Sequence, residues 1–202
     1  MIPILWEKSA PAFRARADLM IRRALESLRL TREVRGVVVA PREGRYGDDA
    51  WIRWTHERPL HIWLEPEVGA FLSPSGRGVA ARAKARLTDL PARRFAPRSF
   101  AETLLHELSH VHDELLHGIR AHEVPPVKRQ EFNEVWNVWI DGRLHRRGGP
   151  ALARRARLSF FRHTFRPGRS LGSAAGRVFE RLWNAERLSH EDLLQALQEL
   201  EG

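Results

Sequence analysis

The ten residues Leu104 to Asp113, which read LLHELSHVHD, constrain the fold of this chain more than any other stretch. Apolar residues recur through them at helical spacing, and the same period continues on both sides. The apolar stripe consists of Phe100, Leu104, Leu108, Val111 and Leu115, widened by Ala101, Leu105 and Ile119. The sequence therefore predicts a long amphipathic helix that turns one face toward a core.

Local sequence also predicts where this helix begins and ends. Ser99 followed by Glu102 is typical of a capping box at a helix start, with Pro97 just outside it. Gly118 is a plausible C-terminal stop. On the side opposite the apolar stripe the helix gathers side chains of the metal-ligating type, namely His106, His110, Asp113 and His117.

Two of these histidines have the spacing of metal ligands. His106 and His110 are four residues apart, so their imidazoles lie ~40° apart around the helix axis and one turn above each other. Glu107 sits beside them, where it can take a proton from a bound water. Composition alone would produce such a match in only ~4% of chains. The motif therefore predicts a catalytic zinc site in preference to a solvated polar face.

A second strong helix is predicted from about residue 128 to 146. Its broad apolar face comprises Phe132, Val135, Trp136, Trp139 and Ile140, and its other side carries Glu134, Asn137, Asp141 and His145. The chain has no cysteine, so a third zinc ligand must be a histidine or a carboxylate. Asp141 and Glu134 share a face but stand ~10 Å apart along the axis, so one ion cannot use both.

The rest of the chain predicts an α+β fold: a small twisted sheet packed on the motif helix, the second ligand-bearing helix and a helical C-terminal tail. Residues 1–147 are expected to form the principal domain and 148–202 a helical extension packed on it, unless the whole is a single domain. Strands are predicted at Val37–Val39, Trp51–Trp54 and Leu60–Leu64, and further helices at about 11–30, 151–163, 174–187 and 189–201. Residues 69–97 are expected to form a long loop with one short helix near 79–87.

Charge and composition bear on the partners and the location of the protein. The formal charge of +9 suggests nucleic acid as a partner, but 31 arginines and only three lysines are spread along the chain, which resembles a codon bias. Solvated faces are the expected role of the clusters Arg93–Arg94, Arg146–Arg147 and Arg154–Arg155 with Arg157. A nucleic-acid partner therefore stays possible without being favoured. No apolar run reaches the length of a membrane span and no signal-peptide pattern opens the chain, so the expected location is the cytoplasm.

The segments His106-Glu107-Leu108-Ser109-His110 and Trp136-Asn137-Val138-Trp139-Ile140-Asp141 resemble the zincin metallopeptidases, and among them small gluzincin-like (minigluzincin) bacterial proteins. The resemblance covers roughly residues 34–146. It implies that a twisted sheet packs on the apolar side of the motif helix and that the next helix supplies the third zinc ligand. The family commonly takes that ligand from the Glu of an E-x-x-x-D pattern, where this chain has Asn137. Related bacterial proteins with N-x-x-x-D imply Asp141, with Glu134 as the alternative.

The resemblance implies a zinc metallopeptidase acting on a peptide or protein substrate, with Glu107 moving a proton from water to the leaving amine. The family often stabilises the oxyanion with Tyr, His or Arg, and Tyr46, Arg143, His117 and His145 all stay open for this role. The strand Leu60–Leu64 is either an edge that pairs with an extended substrate or an interior strand. His112 is expected to be a packed core histidine and His145 a solvated one.

Two other functions stay open. Some small endoribonucleases hold zinc with His-x-x-x-His and a third histidine six residues on, but here Leu116 occupies that position and His117 misses it by one. A metal-dependent hydrolase or nuclease acting on RNA is therefore an alternative that Glu107 opposes. A non-catalytic module braced by zinc is the second alternative, although structural zinc sites close all four positions, often with cysteine. The sequence does not predict the oligomeric state.

Overall fold

The structure is a computed structural model that describes residues 2–7, 11–43, 45, 50–55, 57–165 and 173–201. Within them the chain is α+β, as predicted, with one four-stranded sheet and seven α-helices. The strands are β1 (Ile4–Trp6), β2 (Val34–Val39), β3 (Ala50–Trp54) and β4 (Leu60–Pro66). The helices are α1 (Arg14–Ser27), α2 (Pro74–Ala83), α3 (Pro97–His117), α4 (Arg129–Arg146), α5 (Arg154–Phe165), α6 (Ser173–Asn184) and α7 (His190–Glu201).

The sheet has the strand order β1-β2-β4-β3. The strands β1, β2 and β4 are parallel, while β3 runs antiparallel to β4 with Ile52 opposite Leu64. The three predicted strands are confirmed, and β1 is an addition. Because β4 lies between β2 and β3, the hypothesis that Leu60–Leu64 is a sheet edge is wrong. In the sheet of the described residues, β3 is the antiparallel edge strand.

One face of the sheet packs into a core shared with α1. Along β2 and β4 the side chains of Val37, Val39, Ile62 and Leu64 are buried, as the period of two requires. Helix α1 adds Ala17, Ile21 and Leu25, which are also buried. Each fully buried aliphatic side chain of this kind stabilises the fold by about 1.5–3 kcal/mol.

The segment between β4 and α3 is more ordered than the sequence predicts. It contains the short 3-10 helices Val68–Phe71, Leu87–Asp89 and Ala92–Arg94, and α2 begins at Pro74 instead of near residue 79. Phe71 is fully buried and stacks on Phe100 with ring centroids 4.9 Å apart. The expectation of a long loop is therefore wrong, since this segment supplies core side chains.

Helix α3 begins three residues earlier than the predicted capping box at Ser99 requires. Pro97 is its first residue, a position at which proline costs no hydrogen bond. The capping box at Ser99 is therefore wrong, because the Ser99 carbonyl lies inside the helix and accepts from Thr103 Oγ1 at 3.3 Å. The stop at Gly118 is confirmed: its φ of +66° is the left-handed conformation that ends many helices.

The chain divides into two compact units, Met1–Leu108 and Ser109–Gly202. The predicted boundary after residue 147 falls inside the second unit, whose central helix is α4. Gly142 of α4 lies so close to α6 that a Cβ built on it would stand 2.2 Å from the Trp183 carbonyl oxygen. Among the described helices, none combines the length and apolar character needed to cross a membrane.

Candidate metal centre

Helix α3 is continuous through the predicted metal-binding motif. Phe100, Leu104, Leu108 and Val111 are buried, which confirms the apolar stripe, whereas His106, Glu107 and His110 are each partly exposed. In a regular helix, residues four apart are separated by about 6 Å along the axis. The helix thus presents both imidazoles and the carboxylate on a side that water can reach.

Glu107 lies on the wall of a small pocket in the first unit. Thr103 and Glu107 are its polar lining residues, and the others are apolar: Val39, Ala50, Leu64, Pro66, Phe100 and Leu104. The pocket has room for about one water molecule. Glu107 borders this pocket, but only apolar atoms of the described residues face its interior.

In the second unit His110 packs against Trp136 of α4. The two rings meet edge to face, with centroids 4.3 Å apart and an interplanar angle of 87°. The Trp136 indole Nε1 donates a hydrogen bond of 3.0 Å to Asp113 Oδ2. The Trp136 indole is therefore held by its hydrogen bond to Asp113, and its ring packs against one side of the His110 imidazole.

Asp113 is the centre of a buried network. Arg143 approaches both of its oxygens, with Nη1 at 2.8 Å from Oδ1 and Nη2 donating to Oδ2 at 2.9 Å. His112 Nδ1 lies 3.1 Å from Oδ1. Burial by itself would raise the pKa of Asp113, but the His112 hydrogen bond, the Arg143 charge and hydrogen bond and the Trp136 hydrogen bond together lower it. Because Asp113 is then ionised, His112 Nδ1 carries the proton and donates.

The ligand atoms of His112, Asp113 and His117 all lie within 4.8 Å of one another, a geometry that could hold a metal ion. Three hydrogen bonds, from His112, Trp136 and Arg143 Nη2, and the close charge of Arg143 Nη1 already engage both oxygens of the Asp113 carboxylate. Burial, with the nearby His112 and Arg143, lowers the pKa of His117 despite the opposing charge of Asp113. We interpret the three residues as a hydrogen-bonded structural network, in keeping with the predicted packing role of His112.

The two candidate third ligands share one partner, Arg157 of α5. Arg157 Nε donates to Asp141 Oδ2 at 2.6 Å, and its Nη1 lies 3.3 and 3.4 Å from the two oxygens of Glu134. All three side chains are buried. Burial alone would lower the pKa of Arg157, but the charges and hydrogen bonds of Asp141 and Glu134 raise it overall. The predicted solvated role of Arg157 is therefore wrong.

Helix α4 keeps these two networks apart. Trp136 and Arg143, which contact Asp113, lie about 160° around the helix from Glu134 and Asp141. The predicted ligand face of α4 thus carries two buried carboxylates that pair with Arg157 of α5. Sequence reasoning missed Arg157, although its spacing from the buried Phe161 puts both residues on the inner side of one helix.

The residues considered for the oxyanion role differ in how exposed they are and in what they contact. Arg143 is buried and bound to Asp113, so its charge is already used within the fold. His145 is exposed, as predicted, with its ring centroid 5.6 Å from that of Trp183. His117 is also exposed. Tyr46 lies outside the described residues.

Comparison of the chain with protein-family models, with curated proteins and with solved structures gives no match.

Proposed function

We propose that the chain is a zinc-dependent metallopeptidase of the zincin type, in which His106, His110 and Asp141 hold the ion and Glu107 is the general base. The observation that carries the proposal is the continuous helix α3, which presents both imidazoles and the Glu107 carboxylate on a side that water can reach. The sheet and α3 pack together around the small pocket that Glu107 borders, which supports a proposal of this class.

The donor set fits zinc. Two imidazoles and one carboxylate, with a fourth position for water, are a usual ligand set of catalytic zinc. The hydrogen bond from Arg157 to Asp141 is compatible with this role, because a carboxylate has lone pairs for an ion as well as for one donor. Metal ligands are commonly oriented in this way by an outer partner. Glu134 is held by longer contacts to the same guanidinium, and we assign it to the outer set.

The chain's own residues divide the chemistry between them. When bound, zinc supplies Lewis acidity that makes water a stronger nucleophile near neutral pH. Glu107 accepts the proton of that water as the water attacks the peptide carbonyl, and then delivers the proton to the departing amine. Phe100 and Leu104 keep the surroundings of Glu107 apolar on the pocket side.

An extended peptide would pair with β3. This strand is the antiparallel edge strand in the sheet of the described residues, and its first residue, Ala50, lines the same pocket as Glu107. Main-chain hydrogen bonds to an exposed edge hold a peptide regardless of its side chains. The substrate would then lie along β3, in place of the strand Leu60–Leu64 first considered.

The test combines metal content with hydrolysis. Zinc analysis of the wild-type protein should give about one equivalent, since one catalytic site takes one ion. Glu107→Gln should keep the ion and lose cleavage of unfolded polypeptides, scored by mass spectrometry as new amino termini. The matched control is Glu102→Gln on the same helix, which should keep both zinc and cleavage.

Cleavage by Glu107→Gln at the wild-type rate would contradict the general-base assignment. Wild-type protein that retains no zinc would contradict the whole proposal.

A further inference from the structure

The positive charge of this chain is concentrated in one segment. No Asp or Glu occurs between residues 142 and 179, while ten arginines do. The whole chain carries +9, so everything outside this segment sums to −1. The arginines are spread along the chain, but the carboxylates that balance them are not. A codon bias toward arginine does not explain why the acidic residues are missing here.

The fold uses some of these arginines internally. Arg143 is bound to Asp113 and Arg157 to Asp141 and Glu134, all within the buried parts of the second unit. Arg154 pairs with Glu180 at the surface, and Arg146 donates to the carbonyls of Trp183 and Ala185. These contacts account for four of the ten arginines.

Four others are exposed: Arg147, Arg155, Arg162 and Arg177. We call them the arginine surface. Within the part of the chain that the structure describes, none of the four forms an ion pair with a carboxylate. Arg155 and Arg162 are seven residues apart on α5, so they share a face about 10 Å apart. Arg166 and Arg169 complete the ten and lie outside the described residues.

We propose that the arginine surface binds the phosphate backbone of nucleic acid. A guanidinium offers paired donors that match phosphate oxygens, and it keeps its charge at every physiological pH. A field of one sign attracts a polyanion and releases its counterions on binding.

The packing of α5 favours nucleic acid over an anionic membrane. A helix that lies in a membrane surface needs a free apolar face. The inner side of α5 is already occupied, because Phe161 is fully buried against Phe165 and Phe179. The exposed side carries arginines with a single large apolar residue, Phe160. This side suits phosphate contacts better than insertion into lipid.

The experiment measures binding of the full chain to a labelled single-stranded RNA and to DNA of the same sequence by fluorescence anisotropy, over a range of salt. The test variant is Arg155→Glu/Arg162→Glu. The control is Arg23→Glu/Arg32→Glu, which makes the same change in net charge at exposed positions of the first unit. Circular dichroism confirms that both variants are folded.

The test variant should lose at least about tenfold in affinity, while the control should stay within about threefold. The slope of log affinity against log salt should become shallower by about 1.4 for two lost phosphate contacts on a single strand. RNA and DNA should bind alike, because phosphate contacts carry no sequence information.

Equal losses in the two variants would overturn the proposal, since affinity would then follow net charge alone. Failure of the wild-type chain to bind either nucleic acid would also overturn it, as would tighter retention on phosphatidylserine vesicles than on RNA. Zinc is removed throughout with a chelator. The result therefore does not depend on the proposed peptidase.

Discussion

Arg157 is the charged partner of two buried carboxylates in the second unit. Its guanidinium contacts Asp141 at 2.6 Å and Glu134 at 3.3 Å, and all three side chains are buried. A buried ion pair is weak evidence for stability, but removing one partner leaves a charge without compensation. Here the loss of Arg157 would leave two buried carboxylates without this compensating charge.

Replacing Arg157 by Met should therefore lower the free energy of unfolding by about 3–5 kcal/mol. Urea denaturation near neutral pH measures the loss. The exposed neighbour Arg155→Met should change stability by less than about 0.5 kcal/mol. Adding Asp141→Asn and Glu134→Gln to the Arg157→Met variant should restore most of the stability, because the uncompensated charges are then removed. A loss no larger than that of Arg155→Met would show that the carboxylates do not depend on Arg157.

The raised pKa of Glu114 in α3 predicts how the stability of the protein depends on pH. Burial raises the pKa of Glu114 from 4.5 to about 7. Between these values the folded protein binds a proton that the unfolded chain releases, so stability falls as pH rises through this window. Below pH 4.5 the raised pKa of Glu114 causes no loss of stability, and above about pH 7 the loss of stability is complete.

Glu114→Gln cannot titrate, so its stability relative to the wild type should increase between pH 5 and 8. Urea denaturation of both proteins at several pH values gives the difference directly, and the other titrating groups cancel in it. A constant difference across the range would contradict the raised pKa of Glu114.

Among the structural elements, those whose information is local were predictable. The stripe from Phe100 to Val111 and the stop at Gly118 identify α3, and α4 and the three tail helices follow from the same periodicity. The predicted helix at 189–201 is confirmed as α7, and its start is capped by Asp192 N–H donating to Ser189 Oγ at 3.1 Å. Caps and helical periods need only neighbouring residues, so one sequence is enough to find them.

Elements that depend on distant partners were not predictable in this way. Strand β1 has only three residues and is defined by its pairing with Val37–Val39 of β2. The sequence of β4 alone does not show whether the strand lies at the edge or in the interior, because that depends on its pairing with β3. The segment from Val68 to Arg94 consists of short helices, so its sequence shows no sustained hydrophobic periodicity. The burial of Phe71 could therefore not be predicted from the sequence.

In the candidate site, too, features set by neighbouring residues could be predicted and contacts with distant residues could not. The spacing of His106, Glu107 and His110 is local and could be predicted, as could the carboxylate face of α4. The partner of that face could not, because Arg157 arrives from the next helix along the chain. The Asp113 network likewise needs Arg143, thirty residues away in sequence. A polar residue on a helix face can be seen in the sequence, while what it touches is a property of the fold.

At the scale of the whole molecule, the zinc hypothesis predicts a coupling between metal and stability. An ion that binds only the native chain stabilises it by about 2.7 kcal/mol at a hundred times its dissociation constant. For a chain of this length that corresponds to a rise in Tm of roughly 5–10 °C. Differential scanning fluorimetry of chelator-treated protein, with and without added zinc, measures the shift.

The third ligand can be decided by the same measurement. Asp141→Asn keeps the shape of the side chain and an oxygen that can accept from Arg157, yet it removes the charge that a zinc ligand needs. We expect this variant to fold and to lose the zinc-dependent rise in Tm. Glu134→Gln should keep the rise, and so should His117→Ala, since the His112–Asp113–His117 network is already closed by Arg143 and Trp136. A rise lost in Glu134→Gln and kept in Asp141→Asn would move the third ligand to Glu134, while a rise lost in His117→Ala alone would move the ion to that network.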